Sequence, residues 1–220
     1  MAIHLYEDIT LTQRISEGDL ANPDDDTYNG TDGETKDKEL FVANEQTILA
    51  AALASGATSL QLSAPLFTDG EIIIVDDEQM RILSGGGTTV IAVERGYGST
   101  IPAAHDPGAA VYSGYDYTGL VIEPVDVAGG DESDWYALAL TQAGLGTAVG
   151  GAPLNLGDKA HDVTLSFCVA ARCRPERRCK TKPTSNSGSP VRKTRFCRRN
   201  AWPITAHPAP LQTPRISSSA

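Results

Sequence analysis

The chain has 220 residues, 40% of them hydrophobic and 21% charged, with 21 glycines and a formal net charge of −10. That length and composition allow one or two globular domains and exclude a collagen or a wholly disordered chain. The charge is split: residues 1–167 carry six Lys/Arg against 27 Asp/Glu, whereas residues 168–220 carry the other 12 Lys/Arg and a single acid, Glu176.

An acidic body repels nucleic acid and anionic membranes, so neither is expected as a partner. No apolar run is long enough to span a bilayer. The N-terminal residues, Met1-Ala2-Ile3-His4-Leu5, do not read as a secretory signal. All four cysteines follow Phe167, so the body needs no disulfide.

Along the chain, residues 3–6 and 9–11 are predicted as short strands. Residues 16–38 are acidic and turn-rich, with Asn29-Gly30 and Asp32-Gly33 as turn signals. Residues 39–43 regain apolar character and read as a strand. Residues 46–54, rich in Ala and Leu, are ambiguous between helix and strand. Residues 58–62 alternate as a half-buried strand does. Three further strands are predicted at residues 71–75, 79–83 and 88–93, separated by turns and by Gly85-Gly86-Gly87. Residues 120–122, 135–141 and 163–167 are the later strand candidates, and residues 143–157 read as a glycine-rich loop.

No long segment shows a 3.6-residue period. The predicted class is therefore all-β: a small β-meander or barrel-like domain inserted in an outer β-sandwich-like domain, with an irregular basic C-terminal tail. Residues 46–112 form the insert, because their turn pattern is self-contained. Residues 1–45 and 113–167 form the outer domain, because each flank alone is too short for a core.

Residues 168–220 read as disordered. Charge sign, cysteine content and periodicity all change at Cys168, within a predicted strand. Codons for residues 174–197 can be chosen so that a shifted frame reads as turn, strand and turn. The tail is thus a candidate out-of-frame extension.

The candidate chemistry is sparse. Cys168, Cys173, Cys179 and Cys197 lack the close knuckle spacing of structural zinc sites. The basic tail has the charge to bind nucleic acid but no folded scaffold to carry it. Asp24, Asp25 and Asp26, with Asp32 and Glu34, offer oxygen ligands for calcium but not the EF-hand order. Asp76, Asp77 and Glu78, and Asp131, Glu132 and Asp134, are carboxylate clusters of the kind glycosidases pair, yet turns of an acidic protein supply such clusters without catalysis. His4, His105 and His161 have no nucleophile in a recognisable elbow. Gly85-Gly86-Gly87 joins two strands and lacks the Lys-Ser/Thr of a phosphate loop. No catalytic residue, metal ligand or cofactor is expected. One of Trp135 and Tyr136 must face inward, while Tyr97, in a glycine-rich loop, is the better exposed aromatic.

Three groups of residues carry a resemblance. They are Ser59-Leu60-Gln61-Leu62 with Thr68-Asp69-Gly70-Glu71-Ile72-Ile73-Ile74-Val75 and Glu78-Gln79-Met80-Arg81-Ile82, then Val93-Glu94-Arg95-Gly96-Tyr97-Gly98-Ser99-Thr100, and Ala103-Ala104-His105 followed by Gly108-Ala109-Ala110-Val111. Together they resemble a small β module of bacteriophage tail and other virion proteins, over residues 47–112. The second group looks like the module's V-x-R-G-x-x-G-T turn, with Gly98 one place early and Ser99 in the expected glycine position. The flanks look like those of prophage structural proteins. The resemblance implies a non-enzymatic structural component of a phage virion, in a tail, baseplate, fibre or decoration role, assembled in the bacterial cytoplasm. It implies contact with other virion proteins and with further copies of the chain. Arg95, Tyr97 and His105 are the candidate surface-contact residues. The alternative is a carbohydrate-binding adhesin module that meets a host-surface glycan through Tyr97, and a glycan-cleaving enzyme ranks third.

Overall fold

The computed structural model describes residues 3–15, 27–29, 33–125, 132–173, 196–198 and 204–207. The expectations for Asp24, Asp25, Asp26, Asp32 and Asp131, and most of those for the tail beyond Cys173, lie outside these residues. The described chain is all-β. Its strands are β1 (Ile3–Tyr6), β2 (Thr27–Asn29), β3 (Glu34–Asn44), β4 (Gln46–Ile48), β5 (Ser59–Gln61), β6 (Ile72–Val75), β7 (Glu78–Ser84) and β8 (Val90–Glu94). After these come β9 (Ala110–Ser113), β10 (Tyr117–Pro124), β11 (Tyr136–Ala139), β12 (Leu154–Lys159), β13 (Leu165–Cys173), β14 (Phe196–Arg198) and β15 (Ile204–His207).

β4 to β9 form one six-stranded sheet in the order β4-β9-β6-β7-β8-β5. The pleat explains its core. Along β7, Met80 and Ile82 point inward while Arg81 points out, and Ile91 and Val93 do the same on β8. With Leu49, Leu53, Leu60, Leu62, Phe67, Ile73, Val75 and Val111 they close a buried apolar cluster. The sheet curls until its two edge strands meet. A bridge joins Leu49 to Leu62, flanked by Ala50 N–H to Gln61 O at 2.8 Å and Ser63 N–H to Ile48 O at 3.0 Å.

The flanks build the rest. A four-stranded sheet runs β1-β3-β13-β11, and a three-stranded sheet runs β12-β10-β15. Ile3, Leu5, Leu40, Val42, Phe167 and Val169 from the first share one core with Leu120 and Ile122 of β10. Leu154 and Leu156 of β12 pack against that core. β14 pairs with β2.

Besides the paired strands β14 and β15 within the tail read as disordered, the structure departs from the predicted elements in four places. Residues 9–11 are a turn, not a strand, because the Asp8 carboxylate collects the N–H groups of Thr12 and Gln13 and the Thr12 hydroxyl. Residues 46–54 are not helical: β4 ends at Ile48, and Leu53 then bridges to His105. The last part of the presumed loop at residues 143–157 is the start of β12, where Leu154 and Leu156 face the core. Finally, β13 continues six residues past Phe167, paired with β3 as far as Cys173 opposite Glu34, with Ala170 and Ala171 buried.

Candidate functional site

The features with chemical potential gather at one end of the six-stranded sheet. β6 and β7 are joined by the two-residue turn Asp76 and Asp77, with Val75 opposite Glu78. Asp76 adopts φ 51°, a left-handed conformation that short polar side chains tolerate better than most. Glu78 opens the inward row that Met80 and Ile82 continue, so the pleat drives its carboxylate into the interior, where its side chain is 1% exposed.

Two loops bring partners to it. Arg95 follows β8 directly, and its Nε and Nη2 donate to Glu78 Oε1 and Oε2, both at 2.7 Å, in a bidentate pair. Its remaining N–H groups donate to the carbonyls of Ala54 (2.9 Å), Ala57 (2.7 Å) and Ala103 (2.5 Å). Glu78 also accepts from the backbone N–H groups of Gly96 and Ala103, both at 3.0 Å. His105 lies between carboxylates, with Nε2 2.9 Å from Glu78 Oε2 and Nδ1 2.6 Å from Asp76 Oδ2. The imidazolium is the form that donates to both. The His105 backbone exchanges two hydrogen bonds with Leu53, each 2.9 Å.

Burial alone would raise the Glu78 carboxyl. The Arg95 guanidinium, the Ala103 N–H, His105 and the Gly96 N–H outweigh it and hold the group at about 2, against an ordinary 4.5. Glu78 is therefore a fixed anion. It accepts five hydrogen bonds, and the Arg95 guanidinium uses all five of its N–H groups. The arrangement neutralises a buried charge and ties residues 54–57, 95–96 and 103–105 to the β6–β7 turn.

Arg95 and His105, expected as surface contacts, are thus interior: their side chains are 6% and 2% exposed. The reason is Glu78, an inward carboxylate that requires cationic partners. Tyr97 is half-buried, and the Arg81 guanidinium lies 5.3 Å from its ring centroid. In the sequence Glu78 stands out only as one of three adjacent carboxylates and as the first residue of the resembling run Glu78-Gln79-Met80-Arg81-Ile82. Its phase with Met80 and Ile82 was the available signal, since a carboxylate on an apolar row demands a buried cation. Ser99, in the glycine position of the turn pattern, has φ 69°, beside Gly98 at 65°.

A cleft of about 380 Å³ opens onto the network, lined by residues 76–78, residues 98–101 and residues 103–105. Among the described residues no group of three or more His, Cys, Asp or Glu side chains is placed to hold a metal ion, and no helix is long and apolar enough to cross a membrane. Tyr136 is the inward member of its aromatic pair, at 5% exposed.

A second polar cluster sits where the chain enters and leaves the six-stranded sheet. Asn44 Nδ2 donates to the carbonyls of Ser113 and Tyr115, both at 2.8 Å, and the Ser113 N–H donates to Glu45 O at 2.8 Å. The Lys159 ammonium, on a residue 1% exposed, donates to Asn44 Oδ1 at 2.6 Å and Ala160 O at 3.0 Å. Burial pulls Lys159 down to about 8, against the opposing pull of Asp116 and Asp162. The entry strand, the exit segment and β12 are pinned together at this point.

No protein-family model matches the chain, and neither a curated protein nor a solved structure matches it.

Proposed function

We propose that this chain is a non-enzymatic structural component of a phage virion, in a tail, baseplate, fibre or decoration role, working through protein–protein contacts. In this reading the six-stranded sheet is a barrel-like module inserted into a sandwich-like outer unit. One observation carries it. The residues that bear the resemblance to virion β modules, Arg95 of the V-x-R-G turn and His105 of the A-A-H ending, converge on Glu78 and spend their hydrogen bonds on holding loops. A motif used in that way specifies a rigid scaffold, and a scaffold acts through the surface it presents. The glycan reading has less support, because Tyr97 is half-buried with Arg81 against its ring.

The test is mass spectrometry of density-banded particles from a bacterium that carries this gene in a prophage. Recovery of the chain in the particle band at a fixed ratio to the major virion proteins is the expected result. Recovery only in the soluble lysate overturns the reading.

A further inference from the structure

The Glu78 network holds up a surface strip. Residues 101–104, Ile-Pro-Ala-Ala, are all exposed, and Ile101 is the most exposed large hydrophobic among the described residues at 83%. The strip is nevertheless held firmly. The Ala103 N–H is bound by Glu78 and its carbonyl by Arg95. The Thr100 hydroxyl accepts from the Gln79 N–H at 3.0 Å and donates to Tyr97 O at 2.9 Å. An exposed isoleucine contributes nothing to this fold, whereas a strip fixed before contact lowers the ordering cost of binding. The same cleft is lined by two exposed carboxylates, Asp76 and Asp77. The nearby Arg95 is interior and already matched by Glu78, and the His105 ring is interior between Asp76 and Glu78. The cleft therefore offers an apolar wall and a negative wall.

We propose that this cleft is a docking site for a partner protein's segment in which a lysine or arginine stands beside an aliphatic side chain, the cation meeting Asp77 next to Asp76, whose Oδ2 already holds His105 Nδ1, and the aliphatic group packing on Ile101. Charge complementarity favours a basic partner segment over the acidic body of a second copy, because residues 1–167 carry 27 acids against six Lys/Arg. The inference rests on the reading of the chain as an assembly protein and names the kind of contact it makes.

The test uses the full chain, labelled with nitrogen-15 and titrated with acetyl-Lys-Leu-Lys-amide or acetyl-Glu-Leu-Glu-amide while amide shifts are followed. The basic peptide should give saturable shifts confined to residues 76–78 and 98–105, and the acidic peptide none. Asp77→Asn, which leaves the Glu78 network intact, should weaken binding about threefold. Ile101→Ser should weaken it about tenfold. Shifts scattered over the acidic surface, equal affinity in both variants, or no saturable shift overturns the proposal. If the chain is found in particles but the cleft does not respond, only the docking site fails. If the cleft binds but particles lack the chain, only the virion reading fails.

Discussion

The six-stranded sheet and the four-stranded sheet solve the same problem by different means. The first is made from one uninterrupted run of chain, with β6 next to β7 and β7 next to β8. The second joins strands far apart in sequence: β3 lies against β13, Leu40 opposite Phe167. The first buries a charged network at one end, while the second closes an apolar cluster with β10 and meets the buried Lys159 of β12 through Asn44 at the junction. A local sheet closes its turns with polar bonds. A sheet assembled from distant strands relies on apolar burial and on a pin where the chain crosses over.

The largest effect should come from breaking the charged network. Glu78→Gln leaves the Arg95 guanidinium buried without its anion and should cost about 3–5 kcal/mol. Hydrogen exchange should localise the loss, with protection falling across β6 to β9 while β3 and β13 keep theirs. Glu78→Leu combined with Arg95→Met should recover much of the loss, because a buried ion pair can be replaced by apolar groups at small net cost. A uniform loss of protection in both sheets would merge the two regions into one cooperative unit.

Acid and alkali should separate the regions by sign. The folded-state pKa of Glu78 is depressed, from 4.5 to about 2. Its contribution is complete above pH 4.5 and is lost as pH falls toward 2, at most about 3 kcal/mol. Lys159 is depressed too, from 10.5 to about 8, but it is a base. The unfolded chain then binds more protons above pH 8, so stability rises with pH from 8 to 10, by about 2 kcal/mol. Above pH 10 the trend reverses, because burial raises Tyr117 from 10.0 to about 12, so it holds a proton that the unfolded chain releases. Urea titrations at pH 3, 6, 8 and 10 check both limbs, and the alkaline rise should vanish in Lys159→Met.

Lys159→Met also tests the pin itself. It removes a buried charge but leaves Asn44 Oδ1 without its donor, a loss of about 1–3 kcal/mol at neutral pH, offset in part by the lysine's relieved desolvation. The expected signature is faster exchange at the amides of Ser113 and Gly114, with the β6–β7 amides unchanged.

The contrast also explains what could be read from sequence. β6 was visible as a β-branched run, β7 and β8 because each alternates against a core supplied by its neighbours, and short polar turns mark their ends. β12 was hidden among glycines: Leu154 and Leu156 alternate, but Gly157 at φ 82° sits where its register with β10 shifts, and it read as loop. Residues 46–54 offered helix-forming Ala and Leu, but tertiary pairing overrode propensity and placed Leu49 and Leu53 in the core. The charge network was the least visible feature. Its members lie 17 and 27 positions from Glu78, and nothing local links an inward carboxylate to the cations that will reach it. The two-residue period of β7 places Glu78 on its inward row, though the strand predicted from residue 79 leaves it out, and only the folded loops identify its partners.

The smallest predicted effect concerns the turn that links the resemblance to the geometry. Ser99 and Gly98 both lie in the left-handed region, at φ 69° and 65°. An L side chain there costs about 1–2 kcal/mol, whereas glycine avoids the strain but gives the unfolded chain about 0.5–1 kcal/mol more entropy to lose. The two terms oppose, so Ser99→Gly should stabilise by only about 0.5 kcal/mol. Gly98→Ala should destabilise by about 1 kcal/mol, because it adds the strain and recovers only part of it through the unfolded state. A pair of urea titrations resolves the signs. If both substitutions move stability the same way, the left-handed turn is not what selects glycine at these positions. If the signs are opposite, the shifted glycine of this turn is a tolerated strain at the base of the strip that carries Ile101.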